Sequence, residues 1–119
     1  MLDEVFSRIL EEVEGVRGAF LVGLDGMIVT GSSRPGVLPW EAITASYADL
    51  LRKAANAGRD AELPEPTELV VSCDAATIVL KTVTREYALL AVMDRDGSLG
   101  RLRFELRKLA VKILPELVG

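Results

Sequence analysis

Few residues of this chain are of types that do chemistry, and the types that are missing are the more informative. The sequence has no histidine and one cysteine, Cys73. Imidazole bases, His-dependent triads and His-metal sites are therefore excluded. Neither an intrachain disulfide nor a paired-thiolate metal site can form. Cys73 stands beside Asp74, and an acidic neighbour opposes a reactive thiolate, so it reads as a packed or interface cysteine. The tetrapeptide Asp94-Arg95-Asp96-Gly97 opens like a calcium loop, with Glu105 where the loop's last carboxylate belongs. Most positions between are apolar or basic, so a strand-to-helix turn capped by Asp96 or Ser98 is the better reading. Arg34 lies on the loop SSRPG, from which a guanidinium can reach a nucleotide; a solvated loop charge is the plainer reading. Trp40 and Tyr47 share a helical face and are either core residues or binding anchors. No segment matches the phosphate-binding pattern GxxxxGK[ST], and no cofactor or metal is expected.

These residues must be positioned by a regular alternation of elements. Over residues 2–14, Leu2, Val5, Phe6, Ile9, Leu10 and Val13 form one helical stripe, ended by Gly15. Residues 17–24 are apolar almost throughout, as in a strand covered on both faces. Asp25-Gly26 predicts a hairpin into a strand over 27–31. Residues 32–38 read as a loop. Pro39 then opens a helix to Ala57, ending at Gly58, with Trp40, Ile43, Tyr47, Leu50, Leu51 and Ala54 as its inward stripe. Its other side carries Glu41, Ala45, Ala48, Arg52 and Ala55. A linker with two prolines follows, then a meander of strands at 68–73, 77–84 and 87–93. The last helix carries the stripe Leu99, Leu102, Leu106, Leu109, Ala110, Ile113 and Leu117, and Pro115 loosens its final turn.

The chain has 119 residues, half of them apolar, with a net charge of −4. That length suits a single domain over residues 1–119, and such a small domain leaves much apolar surface at its periphery. No apolar run approaches the roughly 18 residues a membrane span needs. The acidic N-terminus lacks a secretory pattern, so a cytoplasmic protein is expected. Acidity and few aromatics argue against nucleic acid. Residues 1–16 hold five acids and one base, and residues 98–119 two acids and five bases. Packing the terminal helices side by side on one face of the sheet relieves both. The middle helix is left alone on the other face, too narrow to cover five strands. The first meander strand falls at the sheet's rim, where Glu68, Leu69, Val70, Val71, Ser72 and Cys73 offer no proline or lysine to block pairing. A second copy joined across this edge is expected, with the small residues of the middle helix allowing two helices to approach.

The sequence resembles the Roadblock/dynein-light-chain family, and within it the bacterial MglB-like branch. The likeness is carried by Gly15-Val16, Gly18-Ala19, the hairpin Gly23-Leu24-Asp25-Gly26, and Gly97-Ser98-Leu99-Gly100 before Arg103. It extends over nearly the whole chain in the same element order. The resemblance implies an α+β fold, a five-stranded antiparallel sheet between helices, homodimerising through the meander's edge and the middle helices. It implies a regulatory adaptor without catalytic residues of its own that binds a small Ras-like GTPase, as a scaffold or as an activator of GTP hydrolysis that inserts no arginine. Carried onto this sequence, the GTPase-facing residues are Glu41, Thr44, Ala45, Ala48 and Arg52. Two other functions stay open: an assembly subunit of a motor or signalling complex, and a small-molecule sensor.

Overall fold

A computed structural model of the protein describes residues 2–36 and 38–118. Strands that are apolar on both faces need a helical layer on each side, and the chain supplies both. The order is α1 (Leu2–Glu12), β1 (Val16–Gly23), β2 (Ile28–Ser33), α2 (Trp40–Asp60), β3 (Glu68–Ser72), β4 (Ala76–Thr82), β5 (Tyr87–Asp94) and α3 (Leu99–Val118). All strand pairs are antiparallel, in the spatial order β2-β1-β5-β4-β3. The α+β architecture expected from the sequence is present, with β3 at the rim.

Alternation along β5 assigns each residue to a layer. Leu89, Ala91 and Met93 point toward α1 and α3, where they join Phe6, Leu102, Leu106 and Ile113 in one buried cluster. Ala88, Leu90 and Val92 point the other way, toward Phe20, Leu80 and Leu51 of α2. The terminal helices thus share one face, and Arg101 of α3 lies 3.8 Å from Glu12 of α1.

The glycines at the two crossing turns of that face have a steric reason. The α1–β1 turn runs against the β5–α3 turn, and Asp94 donates its N–H to the Gly15 carbonyl at 2.7 Å. A Cβ on Gly15, whose φ is +89°, would stand 2.8 Å from the Gly97 Cα. Neither turn can carry a side chain there. The region resembling a calcium loop is this crossing: Gly97 N–H returns to the Asp94 carbonyl at 3.0 Å, Ser98 Oγ accepts the Arg101 N–H at 3.3 Å, and Arg17 lies 3.7 Å from Asp94. Among the described residues no His, Cys, Asp or Glu cluster is placed to hold a metal. No helix among them is long and apolar enough to cross a membrane.

Several boundaries differ from expectation. β2 extends to Ser33 rather than stopping at Gly31, because the loop-like serines still pair with β1 at Gly18 and Ala19. A bulge between Leu21 and Val22 breaks that pairing and leaves Val29 without a partner in the register. β3 ends at Ser72, so Cys73 lies in the following turn, where its N–H meets the Ala76 carbonyl at 2.8 Å. α2 passes through Gly58 and stops two residues later. Its end is a Schellman motif: Leu63 N–H bonds the Gly58 carbonyl at 2.7 Å and Glu62 N–H the Arg59 carbonyl at 3.2 Å. Glu62, with φ of +58°, takes the left-handed position expected of Gly58. Gly58 is buried instead because the Leu63 and Pro64 backbone lies over it.

Candidate interaction surface

The middle helix seats on the sheet by an aromatic pair. Trp40, in the first turn of α2, meets Phe20 of β1 with ring centroids 5.0 Å apart. The indole lies over Gly18, where a Cβ would come within 2.6 Å of the ring. Trp40 is thus an anchor of the fold. One turn on, Thr44 is the only buried polar residue among those described. Its hydroxyl is satisfied by the Glu41 carbonyl at 3.1 Å and the Gly26 carbonyl at 3.4 Å.

This seating turns α2 away from the orientation expected from its bulky residues. The residues it buries are Thr44, Ala48, Leu51 and Gly58. They form a second helical stripe, mostly of small side chains that let the helix backbone lie close to the sheet. The bulky stripe Ile43, Tyr47, Leu50 and Ala54 falls on the flank. Leu50 is 41% exposed, and Ile43 and Tyr47 are only half-buried. The sequence signal for this was the spacing 44, 48, 51, 55, 58, as regular as the bulky stripe but made of smaller groups.

The five α2 residues expected to face a partner therefore divide. Glu41 and Ala45 are exposed, and Arg52 is half-exposed. Thr44 and Ala48 are fully buried against the sheet and offer no surface. Arg52 is engaged within its own helix, 2.7 Å from Asp49, which also binds Lys53 at 3.0 Å. Hydrogen bonds from Lys53 and then Arg52 hold the Asp49 carboxyl below its usual range.

At the rim, β3 is paired on one side only, with Leu69 opposite Leu80, Val70 opposite Val79 and Val71 opposite Ile78. Leu69 and Val71 pack, partly exposed, against the same buried cluster as Ile43 and Tyr47 of α2. The flank of α2 and the rim strand thus border one apolar cluster that neither covers completely. Val70 points to the opposite face and is 38% exposed; Ser72 and Cys73 are exposed too. Glu68 is half-buried and pairs with Arg103 of α3, fixing the beginning of the strand to the helix behind it.

Arg34 is not held out on its loop. Its guanidinium donates to the Val16 carbonyl at 2.7 Å and to the Leu10 carbonyl at 2.5 Å. The second of these is among the last four carbonyls of α1, which lack partners inside the helix. Arg34 therefore ties the end of α1 to β1, a role that no local pattern could signal because it joins residues 24 apart.

A sheet with a single helix on one face and a bare rim beside it is the arrangement that the family resemblance implied. A family model described as the Roadblock/LC7 domain matches residues 1–94. The chain belongs to the Roadblock/LC7 family. The match takes in every strand of the domain and stops short of α3. A Roadblock/LC7 domain from Streptomyces avermitilis is 21% identical, with a TM-score of 0.86 and 98% of each chain covered. MglB of Myxococcus xanthus is 14% identical, with a TM-score of 0.87 over 98% of this chain and 94% of that one. An MglB with a tetrameric arrangement is 16% identical, with a TM-score of 0.84 over 94% and 84%. At such identities the likeness is one of fold. No curated protein matches the sequence.

Proposed function

We propose that this Roadblock/LC7 domain is a regulatory adaptor that pairs with a second copy through β3 and presents its two α2 helices to a small Ras-like GTPase. The observation that carries the reading is the rim strand, unpaired on its outer side and bordering the same incompletely covered apolar cluster as α2. Joining two such rims would extend the sheet, bring Leu69, Val71 and the Leu50 flank of each α2 together, and remove two open edges. The self-associated MglB neighbour supports pairing of this fold. Glu68, Leu69, Val70, Val71, Ser72 and Cys73 then form the seam.

On the flank of α2 opposite Ile43, Tyr47 and Leu50, beside the β1–β2 hairpin, Glu41, Ala45 and Arg52 would meet the GTPase, while the buried Thr44 and Ala48 set the height of the helix. The domain has no histidine and its Arg34 is committed to carbonyls. Arg34 is thereby withdrawn as a donated side chain, and in keeping with the family resemblance we take any stimulation of GTP hydrolysis to come from ordering the GTPase's own catalytic residues.

Two measurements test the reading. Light scattering at micromolar concentration should return twice the subunit mass, and Val70→Lys, a charge on the rim, should return one subunit. Addition of the wild-type protein to a GTP-loaded cognate GTPase should form a complex and change the rate of GTP hydrolysis. A monomer at that concentration, or an inert mixture, counts against the corresponding half of the proposal.

A further inference from the structure

The face away from α2 carries a second surface. Between α1 and α3 lies a groove of about 810 Å³. Ile9 and Leu109, both buried, form its floor with the half-buried Val5. Two apolar side chains of α3 stand at its lip: Phe104, 50% exposed, and Val111, 75% exposed. They are seven positions apart, two helical turns or about 10 Å. The Lys108 ammonium sits 5.2 Å from the Phe104 ring centroid and steadies it at the lip.

The charge around this apolar strip is one-sided once the internal pairs are removed. Four bases line the groove, Arg8, Arg107, Lys108 and Lys112, with two acids, Glu12 and Glu105. Both acids are already answered. Glu105 lies 3.4 Å from Lys108 and 4.0 Å from Arg101, and Glu12 lies 3.8 Å from Arg101. Among the described residues, Arg8, Arg107 and Lys112 have no acidic partner within ion-pair distance. Arg107 and Lys112 on α3 and Arg8 on α1 thus border a recessed apolar strip about two turns long, with Asp3, Glu4 and Glu11 on the far side of Arg8.

We propose that this groove docks an amphipathic helical segment of a partner protein, apolar on one stripe and acidic on its flanks. A helix laid between α1 and α3 would set its apolar stripe on Ile9, Leu109, Phe104 and Val111, with its acids against Arg8, Arg107 and Lys112. The concave shape favours a rod over a bilayer, since the floor residues are recessed and Glu12 and Glu105 would face anionic headgroups. A second copy of this chain fits less well. Its α2 flank carries as many bases as acids, three of each, and its own α3 strip would bring Arg107 and Lys112 against their own copies. The groove is independent of the β3 seam, so the domain could hold this partner while its α2 side is occupied.

Fluorescence anisotropy of a labelled helical peptide tests the proposal. The probe is about four turns long, with leucines at positions i, i+3, i+4 and i+7 and glutamates elsewhere; its counterpart has lysines for glutamates. The acidic peptide should bind at least about tenfold more tightly than the basic one, and less tightly as salt is raised. Phe104→Ala, and separately Arg107→Glu with Lys112→Glu, should each weaken it about tenfold. Both variants should keep the wild-type melting curve by circular dichroism. Val70→Lys should leave peptide binding intact, which separates this surface from the proposed dimer seam. No binding by the acidic peptide, equal binding of both peptides, or insensitivity to the groove substitutions overturns the proposal. So does sedimentation with phosphatidylserine vesicles that the same substitutions abolish, which assigns the groove to a membrane. A change in oligomeric mass caused by those substitutions assigns it to a second copy and overturns the proposal too.

Discussion

The two faces of the sheet are built from the same strands but finished differently. On one, α1 and α3 bring bulky side chains inward, and Phe6, Leu102, Leu106 and Ile113 interlock with alternate residues of β1, β4 and β5. On the other, α2 touches the sheet mainly through small groups and leaves Leu50, Ile43 and Tyr47 at its flank. On the first face the sheet itself is covered within one subunit, and the apolar opening that remains is the groove on the outer side of α1 and α3. The second leaves Leu50, Ile43, Tyr47, Leu69 and Val71 partly uncovered beside α2 and β3. Where a helix spends its large apolar residues distinguishes an interior from an interface.

The sharpest way to break this contrast is to truncate one leucine on each face. Leu106 is 1% exposed in the closed cluster. Leu106→Ala should cost about 2–5 kcal/mol in urea unfolding, through lost transfer energy and a cavity between α3 and the sheet. Leu50→Ala should cost the isolated subunit less than about 0.5 kcal/mol and show itself in self-association, as weaker concentration dependence of the melting temperature. Equal losses for the two leucines would remove the distinction between the faces.

A backbone test comes next in size. Gly15→Ala puts a Cβ against the Gly97 Cα at a residue whose φ is +89°. It should destabilise by about 1–3 kcal/mol in the same unfolding measurement, because the crossing turns join α1 to α3 across the closed face. A neutral result would mean that the turns separate easily and that the closed face is not fastened there.

Much of this was legible in the sequence, and the failures share a cause. The apolar runs of β1 and β5 announced a sheet covered on both sides. The opposite charges of α1 and α3 placed them together, and the meander placed β3 at the rim. What could not be read locally were the decisions made between distant parts. Bulk marks Ile43, Tyr47 and Leu50 as the inner stripe of α2, yet the seat of Trp40 on Gly18 and Phe20, and the room needed over Gly26, put Thr44 and Ala48 inside. Arg34 looked free because its partners, Leu10 and Val16, belong to other elements. The groove between α1 and α3 cannot be read from either helix alone, since its floor exists only when the two lie side by side.

The smallest effect sharpens the comparison from the open face. There α2 ends with a glutamate, Glu62, in the left-handed conformation, while the nearby Gly58 is spent on letting the chain fold back over the helix. A non-glycine residue in that conformation is strained by about 1 kcal/mol, partly offset because glycine would give the unfolded chain more freedom. Glu62→Gly should therefore stabilise the subunit by about 0.5 kcal/mol, raising the melting temperature by about 2 °C, with no change in subunit mass by light scattering. It is the reverse of Gly15→Ala, adding a glycine at a left-handed position rather than removing one. Stabilisation by one and destabilisation by the other would show that the crossing turns of the closed face already hold glycine where the backbone demands it, while the end of α2 keeps removable strain. A loss of stability in Glu62→Gly would mean that the glutamate side chain makes a contribution larger than its backbone cost, and that the end of α2 is as firmly built as the turns behind it.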